Sequence, residues 1–204
     1  LPALAKSSVI DIVQVAEGCL GACSYCCTRF ARGSLVSYPV EAIVSRVRTS
    51  VSSGHREIWL TAQDTAAYCA PGKKTLPSLL RRVCAISEKF LIRVGMMNPE
   101  TADGVLSRLV LAFEDDKVFK FLHLPLQSGS DRVLGEMRRR YSREIFGRVV
   151  TSFRARIPRI TLSTDVIVGF PGETEVDFAE TVSLIEEMRP DILNLSRFFP
   201  RPRA

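Results

Sequence analysis

Three cysteines fall within eight residues, Cys19-Leu20-Gly21-Ala22-Cys23-Ser24-Tyr25-Cys26, at C-x3-C-x2-C spacing. Three soft thiolates on one short loop suit an iron–sulfur cluster. A four-iron cluster held by three cysteines keeps one iron open, and an open iron can bind a reactive ligand. Gly18 and Gly21 flank Cys19 and let the backbone wrap closely around such a group. The competing reading is a structural zinc site, which wants four closed ligands. Cys27 is adjacent, but His55 and His123 are the only histidines and neither stands at finger spacing. His123 lies in a strand pattern and reads as a satisfied core residue. Cys69 and Cys84 stand alone and read as structural or incidental.

The loop needs elements that hold it, and the pattern supplies alternating strands and helices. Val9 to Val15 reads as a first strand ending at the cysteines. A helix opened by Pro39 carries Val40, Ile43, Val44, Val47 and Val51 at helical spacing. Glu57 to Thr61 is a second strand, and a helix with Leu76, Leu79, Leu80, Val83 and Ile86 follows. Leu91 to Gly95 and Phe119 to Leu124 give two more strands, with Val105 to Val110 helical between them. Val133, Leu134 and Met137, then Ile145 to Phe153, make the next crossover before a strand at Ile160 to Val168. Thr174-Glu175-Val176-Asp177 starts another helix with an imperfect capping box, because Asp is shorter than Glu. Ile192 to Leu195 begins a sixth strand.

Six βα-type steps without a run of hairpins imply a parallel α/β sheet with helices outside. Periodicity does not separate an open doubly wound sheet from a partial barrel. Either gathers the segments after the strands at one edge, where such folds place ligands. These segments are the cysteine loop, Ala62 to Thr65, Met97 to Pro99, Gln127 to Ser130 and Gly169 to Glu173.

At 204 residues, 46% hydrophobic and 25% charged, the chain has the composition of a soluble globular protein. It fits one sizeable domain or a large piece of a longer protein, and can bury roughly 70% of its unfolded surface without disulfides. No apolar run approaches the ~20 residues of a membrane span, and no signal-peptide pattern opens the chain. A reducing, cytoplasmic setting is expected, where clustered cysteines read as ligands. The net charge of +6 is compatible with a nucleic-acid partner. Arginines crowd between Arg132 and Arg159, either as a solvated helix face or as a phosphate-contacting surface.

C-x3-C-x2-C after a first strand, with Tyr25 before the last cysteine, resembles the signature of radical S-adenosylmethionine (SAM) enzymes. The segments 17–26, 32–33, 37–41, 57–61, 124–131, 165–174 and Phe199-Pro200-Arg201-Pro202 resemble one branch, the tRNA methylthiotransferases. Thr28 to Gly33 and Ala62 to Tyr68 look most like the archaeal and eukaryotic type that acts on N6-threonylcarbamoyladenosine beside the anticodon. The resemblance implies a radical SAM fold of six βα units in a partial, open TIM-like barrel over residues 1–204. It implies a [4Fe–4S] cluster on Cys19, Cys23 and Cys26, SAM on the open iron, and reductive cleavage to a 5′-deoxyadenosyl radical. The radical would take hydrogen from C2 of the adenine, where a methylthio group is then placed.

By the same resemblance Tyr25 packs near the SAM adenine. Gln63 and Asp64 stand where many relatives present Gly-Gly-Glu to the SAM amine. Gln127 and Ser128 precede a helix whose amides favour the SAM carboxylate, though ordinary capping explains them too. Arg139 matches an arginine of a Met-x-Arg-x-Tyr segment and is a carboxylate partner or a solvated cation. Asp165 is a SAM or substrate contact, or a structural hydrogen bond. Expected partners are a tRNA and an electron-donor protein, with no membrane within this segment. The resemblance also implies an N-terminal domain with a second cluster and a C-terminal RNA-binding domain outside residues 1–204, and the abrupt Leu1-Pro2 and Arg203-Ala204 ends read as those of a central piece of a longer protein. Alternatives are an isopentenyladenosine- or ribosomal-protein-directed relative, and a non-catalytic iron–sulfur or RNA-binding module.

Overall fold

The computed structural model describes residues 9–201, so the expectations placed on Leu1-Pro2, Pro202 and Arg203-Ala204 lie outside the described residues. Strand β1 (Ile10–Gln14) alternates in burial and leads into β2 (Ala16–Glu17). The cysteine loop follows, then α1 (Thr28–Arg32), which buries no residue, and β3 (Val36–Ser37). Helix α2 (Val40–Ser52) starts directly after Pro39 and buries all five predicted residues, four valines and one isoleucine. Strand β4 (Glu57–Thr61) has the expected bounds. The short pair β5 (Cys69–Ala70) and β6 (Lys74–Thr75) leads to α3 (Leu76–Cys84). Ile86 lies past the end of that helix but is still buried.

Strand β7 (Leu91–Val94) precedes a short α4 (Pro99–Asp103) and α5 (Leu106–Phe113). Strand β8 (Phe121–His123) is shorter than the expected Phe119 to Leu124. Then come α6 (Asp131–Glu136), α7 (Arg143–Arg156), β9 (Thr161–Val168), α8 (Glu175–Met188) and β10 (Ile192–Arg197). The capping box of α8 is complete, correcting the expectation of an imperfect one. Thr174 Oγ1 accepts the Asp177 amide at 3.3 Å, and the Asp177 carboxylate accepts the Thr174 amide at 2.9 Å.

The six longer strands pair in parallel as two three-stranded sheets, β1-β4-β7 and β8-β9-β10, in chain order from one end to the other. Between the two sheets the backbone joint is thin. It consists of one parallel bridge, Ile92↔Val118, and flanking bonds such as Phe119 N to Ile92 O at 2.9 Å. Two antiparallel ties, β2-β3 and β5-β6, were not anticipated.

One face of the sheet carries Val13, Ile58, Leu60, Ile92, Val94, Leu122 and Leu162 into the core beneath the helices. Asp11 is also fully buried on that face and pairs with Arg46 of α2 at 2.7 Å while Ser50 donates to it, which satisfies the charge. The opposite face carries Trp59, Arg93, Phe121, His123 and Asp165, all partly accessible. No helix among the described residues is long and apolar enough to cross a membrane.

Candidate metal and cofactor centre

The cysteine loop is closed at its base by β2-β3, which pairs Ala16 with Ser37 and Glu17 with Val36. Gly18 makes the closure possible. It sits at φ +77°, and a Cβ there would lie 2.2 Å from the Ser34 carbonyl oxygen. The far side of the loop is tied to the end of α6, where Ser24 Oγ donates to Glu136 O at 2.8 Å and Ser24 N to Met137 O at 3.1 Å. The three thiols are free and half-buried. Each sulfur accepts one N–H: Cys19 from Gly21 at 3.3 Å, Cys26 from Thr28 at 3.4 Å, and Cys23 from Arg139 Nη1 at 3.1 Å. Burial pushes the Cys19 thiol up, against the pull of its amide donor. Among the described residues no three His, Cys, Asp or Glu side chains converge as a single-ion site. A multinuclear cluster, whose ligands bind different metal atoms, asks for a wider spread than one ion does.

Around the loop stand side chains from the expected rim. Arg139 reaches Cys23, Tyr25 Oη at 3.3 Å and Asn98 Oδ1, and its guanidinium lies 4.9 Å from the centre of the Tyr141 ring. Its Nε is buried without a partner, as is Gln63 Oε1. Arg139 is therefore not a solvated surface cation. Burial raises the Tyr25 phenol far above its ordinary range, although Arg139 pulls the other way. Asp64 is 4% exposed and accepts from the amides of Ala66, Ala67 and Asn98 and from Thr101 Oγ1 at 2.8 Å. With four donors engaged it braces the second loop against the third, whereas its neighbour Gln63 keeps an acceptor unpaired.

Ser128 turns away from the loop. It is fully buried, its hydroxyl 3.3 Å from Thr181 Oγ1 of α8, and it accepts the Ser130 amide. Gln127 is held at φ +68° by strand-like bonds to Asp165 O (2.7 Å) and from Ile167 N (2.9 Å). A non-glycine residue there stores strain that the surrounding ladder must maintain. Asp165 accepts from His123 Nε2 at 2.9 Å and Asn194 Nδ2 at 2.8 Å. Burial alone would raise its carboxyl, but those two partners hold it below the ordinary carboxylate range. A cavity of about 430 Å³ joins Tyr25, Cys26, Gln127 and Asp165 with the end of β10. A smaller one of about 50 Å³ lies on the other side of the loop, between Cys23, Asp64, Asn98 and Arg139.

The model of the radical SAM superfamily matches residues 13–185. The chain belongs to the radical SAM superfamily. It is 48% identical, over 204 residues, to a protein of Methanothermobacter thermautotrophicus described as "Probable threonylcarbamoyladenosine tRNA methylthiotransferase", covering all of this chain and 48% of that one. It is 46% identical over 203 residues to the threonylcarbamoyladenosine tRNA methylthiotransferase of Drosophila melanogaster, with 99% of this chain and 37% of that one covered. The chain thus spans half or less of the length of these curated relatives. Among solved structures, the radical SAM methyltransferase TsrM from Kitasatospora setae superposes with TM-score 0.73 at 17% identity, over 91% of this chain and 36% of that one. Coproporphyrinogen III oxidase (HemN) from Escherichia coli gives 0.65 at 17% identity, over 94% and 44%. These last likenesses speak for the fold alone.

For a radical SAM chain the observed donor set fits a cluster with a bound amino acid group. The sulfurs each meet an N–H, and the two orphaned atoms are one donor, on the Arg139 that contacts Cys23, and one acceptor, on Gln63 of the second rim segment. Sequence reasoning missed Asn98 and Asn194, which orient Arg139 and Asp165, and it misread His123. Asn98 and His123 carried only the signal of position at or after a strand end, and Asn194, inside β10, carried none.

Proposed function

We propose that this chain is the radical-generating core of a tRNA methylthiotransferase acting on N6-threonylcarbamoyladenosine. The observation that carries the reading is the opening of the cysteine loop into the cavity shared by Tyr25, Cys26, Gln127 and Asp165, in a chain so similar to proteins of that description. Residues 1–204 then act as one core domain, and the two three-stranded sheets as one curved, partial barrel. The bridge at Ile92↔Val118 supports that continuity.

In this reading Cys19, Cys23 and Cys26 hold a [4Fe–4S] cluster, and SAM completes its open position. Cluster and SAM, when bound, supply a low-potential electron and the radical that removes hydrogen from the substrate base. The chain's own work is placement. Each sulfur is oriented by one N–H donor and would give up its proton on binding iron. Gln63 Oε1 offers an acceptor to an ammonium, and Arg139 Nε a donor to a carboxylate. Tyr25, packed by Arg139, covers the loop and excludes water. Gln127 and Asp165 present polar groups to a nucleoside in the cavity, with Asp165 kept ionised by His123 and Asn194. Ser128 serves by docking α8 behind that wall. A tRNA, an electron-donor protein and a second, sulfur-handling cluster outside residues 1–204 complete the assignment, in a cytoplasmic setting.

The test is anaerobic reconstitution of the full-length protein with iron and sulfide, then reduction with SAM. Release of 5′-deoxyadenosine by the wild type and its loss in Cys23→Ala are expected. Stoichiometric zinc in place of iron would overturn the reading. Nucleoside mass spectrometry of tRNA from cells lacking the protein should show the 2-methylthio derivative replaced by its precursor.

A further inference from the structure

The arginine-dense segment from Arg132 to Arg159 spends much of its charge inside the molecule. Arg132 holds Asp177, Arg148 holds Asp103 through nitrogens at 3.0 and 2.8 Å, and Arg156 holds Glu114 at 2.7 Å. Arg154 donates to the carbonyls of Met188 and Arg189 at the C-terminus of α8. At the mouth of the larger cavity the opposite holds. The side chains of Arg197 and Arg201 line it and form no ion pair or hydrogen bond with any described residue.

Between these two cations stands Phe199, which lines the same cavity and is 75% exposed. The segment that carries it is fixed. Phe198 N donates to Val168 O at 2.8 Å, and the Phe198 ring meets Phe170 edge-on with centroids 5.3 Å apart. One phenylalanine therefore anchors the chain and the next is left exposed, flanked in sequence by guanidinia that have no partner among the described residues. An aromatic ring between free cations is how single-stranded nucleic acid is gripped, bases on the ring and phosphates on the charges.

We infer that Phe199 is a stacking platform for a nucleotide adjacent to the target base, with Arg197 and Arg201 contacting the phosphates on either side. The lip then holds a single-stranded loop while one base enters the cavity toward Cys26 and Asp165. This inference rests on the tRNA reading above and names the residues that would read the loop.

The test uses the full-length protein and an anticodon stem–loop RNA that carries the threonylcarbamoyl base, with 2-aminopurine at the neighbouring nucleotide. Phe199→Ala should weaken binding about tenfold, in line with the loss of one base–aromatic stack, and abolish the 2-aminopurine fluorescence change. Phe199→Trp should keep both. Replacing Arg197 and Arg201 together by Gln should flatten the log Kd against log salt slope by about 1.4, at ~0.7 per phosphate on a single strand. Unchanged affinity and fluorescence in Phe199→Ala would overturn the inference. So would hydroxyl-radical footprinting that finds Phe199 already shielded in the RNA-free protein, the result expected if another part of the chain covers it. A wild-type protein that binds no stem–loop would overturn the tRNA reading as well, whereas binding indifferent to Phe199 overturns this inference alone.

Discussion

Asp177 shows how much a single carboxylate can organise. It accepts from Ser130 Oγ at 2.6 Å, Arg132 Nη2 at 2.5 Å, and both the amide (2.9 Å) and hydroxyl (2.6 Å) of Thr174. It thereby joins the loop after β8, helix α6 and the start of α8. The Arg132 guanidinium and these donors hold its carboxyl far below the usual range. A carboxyl depressed in the folded state contributes stability that is fully present above its unfolded pKa, about 3.9, and lost as pH falls below that value. Asp177→Ala should therefore lower Tm at pH 7, and the gap to wild type should narrow as pH drops below about 4. Calorimetry across pH 3 to 7 (the range set around that carboxylate pKa, about 3.9) checks this, and a constant gap would contradict it. The cysteine spacing was readable from sequence because its ligands are neighbours in the chain. The Arg139–Cys23 contact spans 116 residues, and such pairs leave no local trace. Ser128 illustrates the reverse, a residue with the right chemistry whose backbone turns its hydroxyl toward α8.

Helices and long strands were legible because amphipathic periodicity is a property of each segment alone. The ties β2-β3 and β5-β6 were not, since two residues per strand carry no period and their pairing is decided by what the intervening loops must do. Gly129 belongs to the same class of fact. Its amide donates to Thr181 Oγ1 at 2.8 Å, and a Cβ there would lie 2.5 Å from the Thr181 Cα and 2.8 Å from the Glu180 carbonyl oxygen. Both obstacles are backbone, so α8 itself must move to admit a methyl group. Gly129→Ala should destabilise the fold by about 1–3 kcal/mol, the usual cost of overpacking. Denaturant unfolding gives the magnitude. Gly135→Ala, where nothing lies within 4 Å of the added carbon, is the control expected to stay near wild type. Equal losses in both variants would show that the Gly129 contact is not what matters.

Across the whole molecule, the joint between the two three-stranded sheets is made as much by side chains as by backbone. Arg93 of β7 sits between two rings, with its guanidinium carbon 4.6 Å from the centre of Trp59 on β4 and 4.7 Å from that of Phe121 on β8. Phe121 meets His123 edge-on, His123 bonds Asp165 on β9, and Asp165 bonds Asn194 on β10. A lateral chain of contacts thus crosses five strands on the face away from the helices and passes through Asp165 in the cavity wall. Arg93 is the link that spans the seam where the backbone offers one bridge. Cation–π contacts contribute about 0.5–1 kcal/mol each when exposed and about 2 when desolvated, so Arg93→Ala should cost about 1–3 kcal/mol. Trp59 is the single tryptophan, so its emission reports the loss directly and should shift to the red. Hydrogen exchange should quicken at Phe119 and Met97, whose amides bond Ile92 and His123 across the seam, while the β1-β4 ladder stays protected. Uniform exchange across both sheets, with unchanged Trp59 emission, would mean the two halves are held by the helices rather than by this clamp.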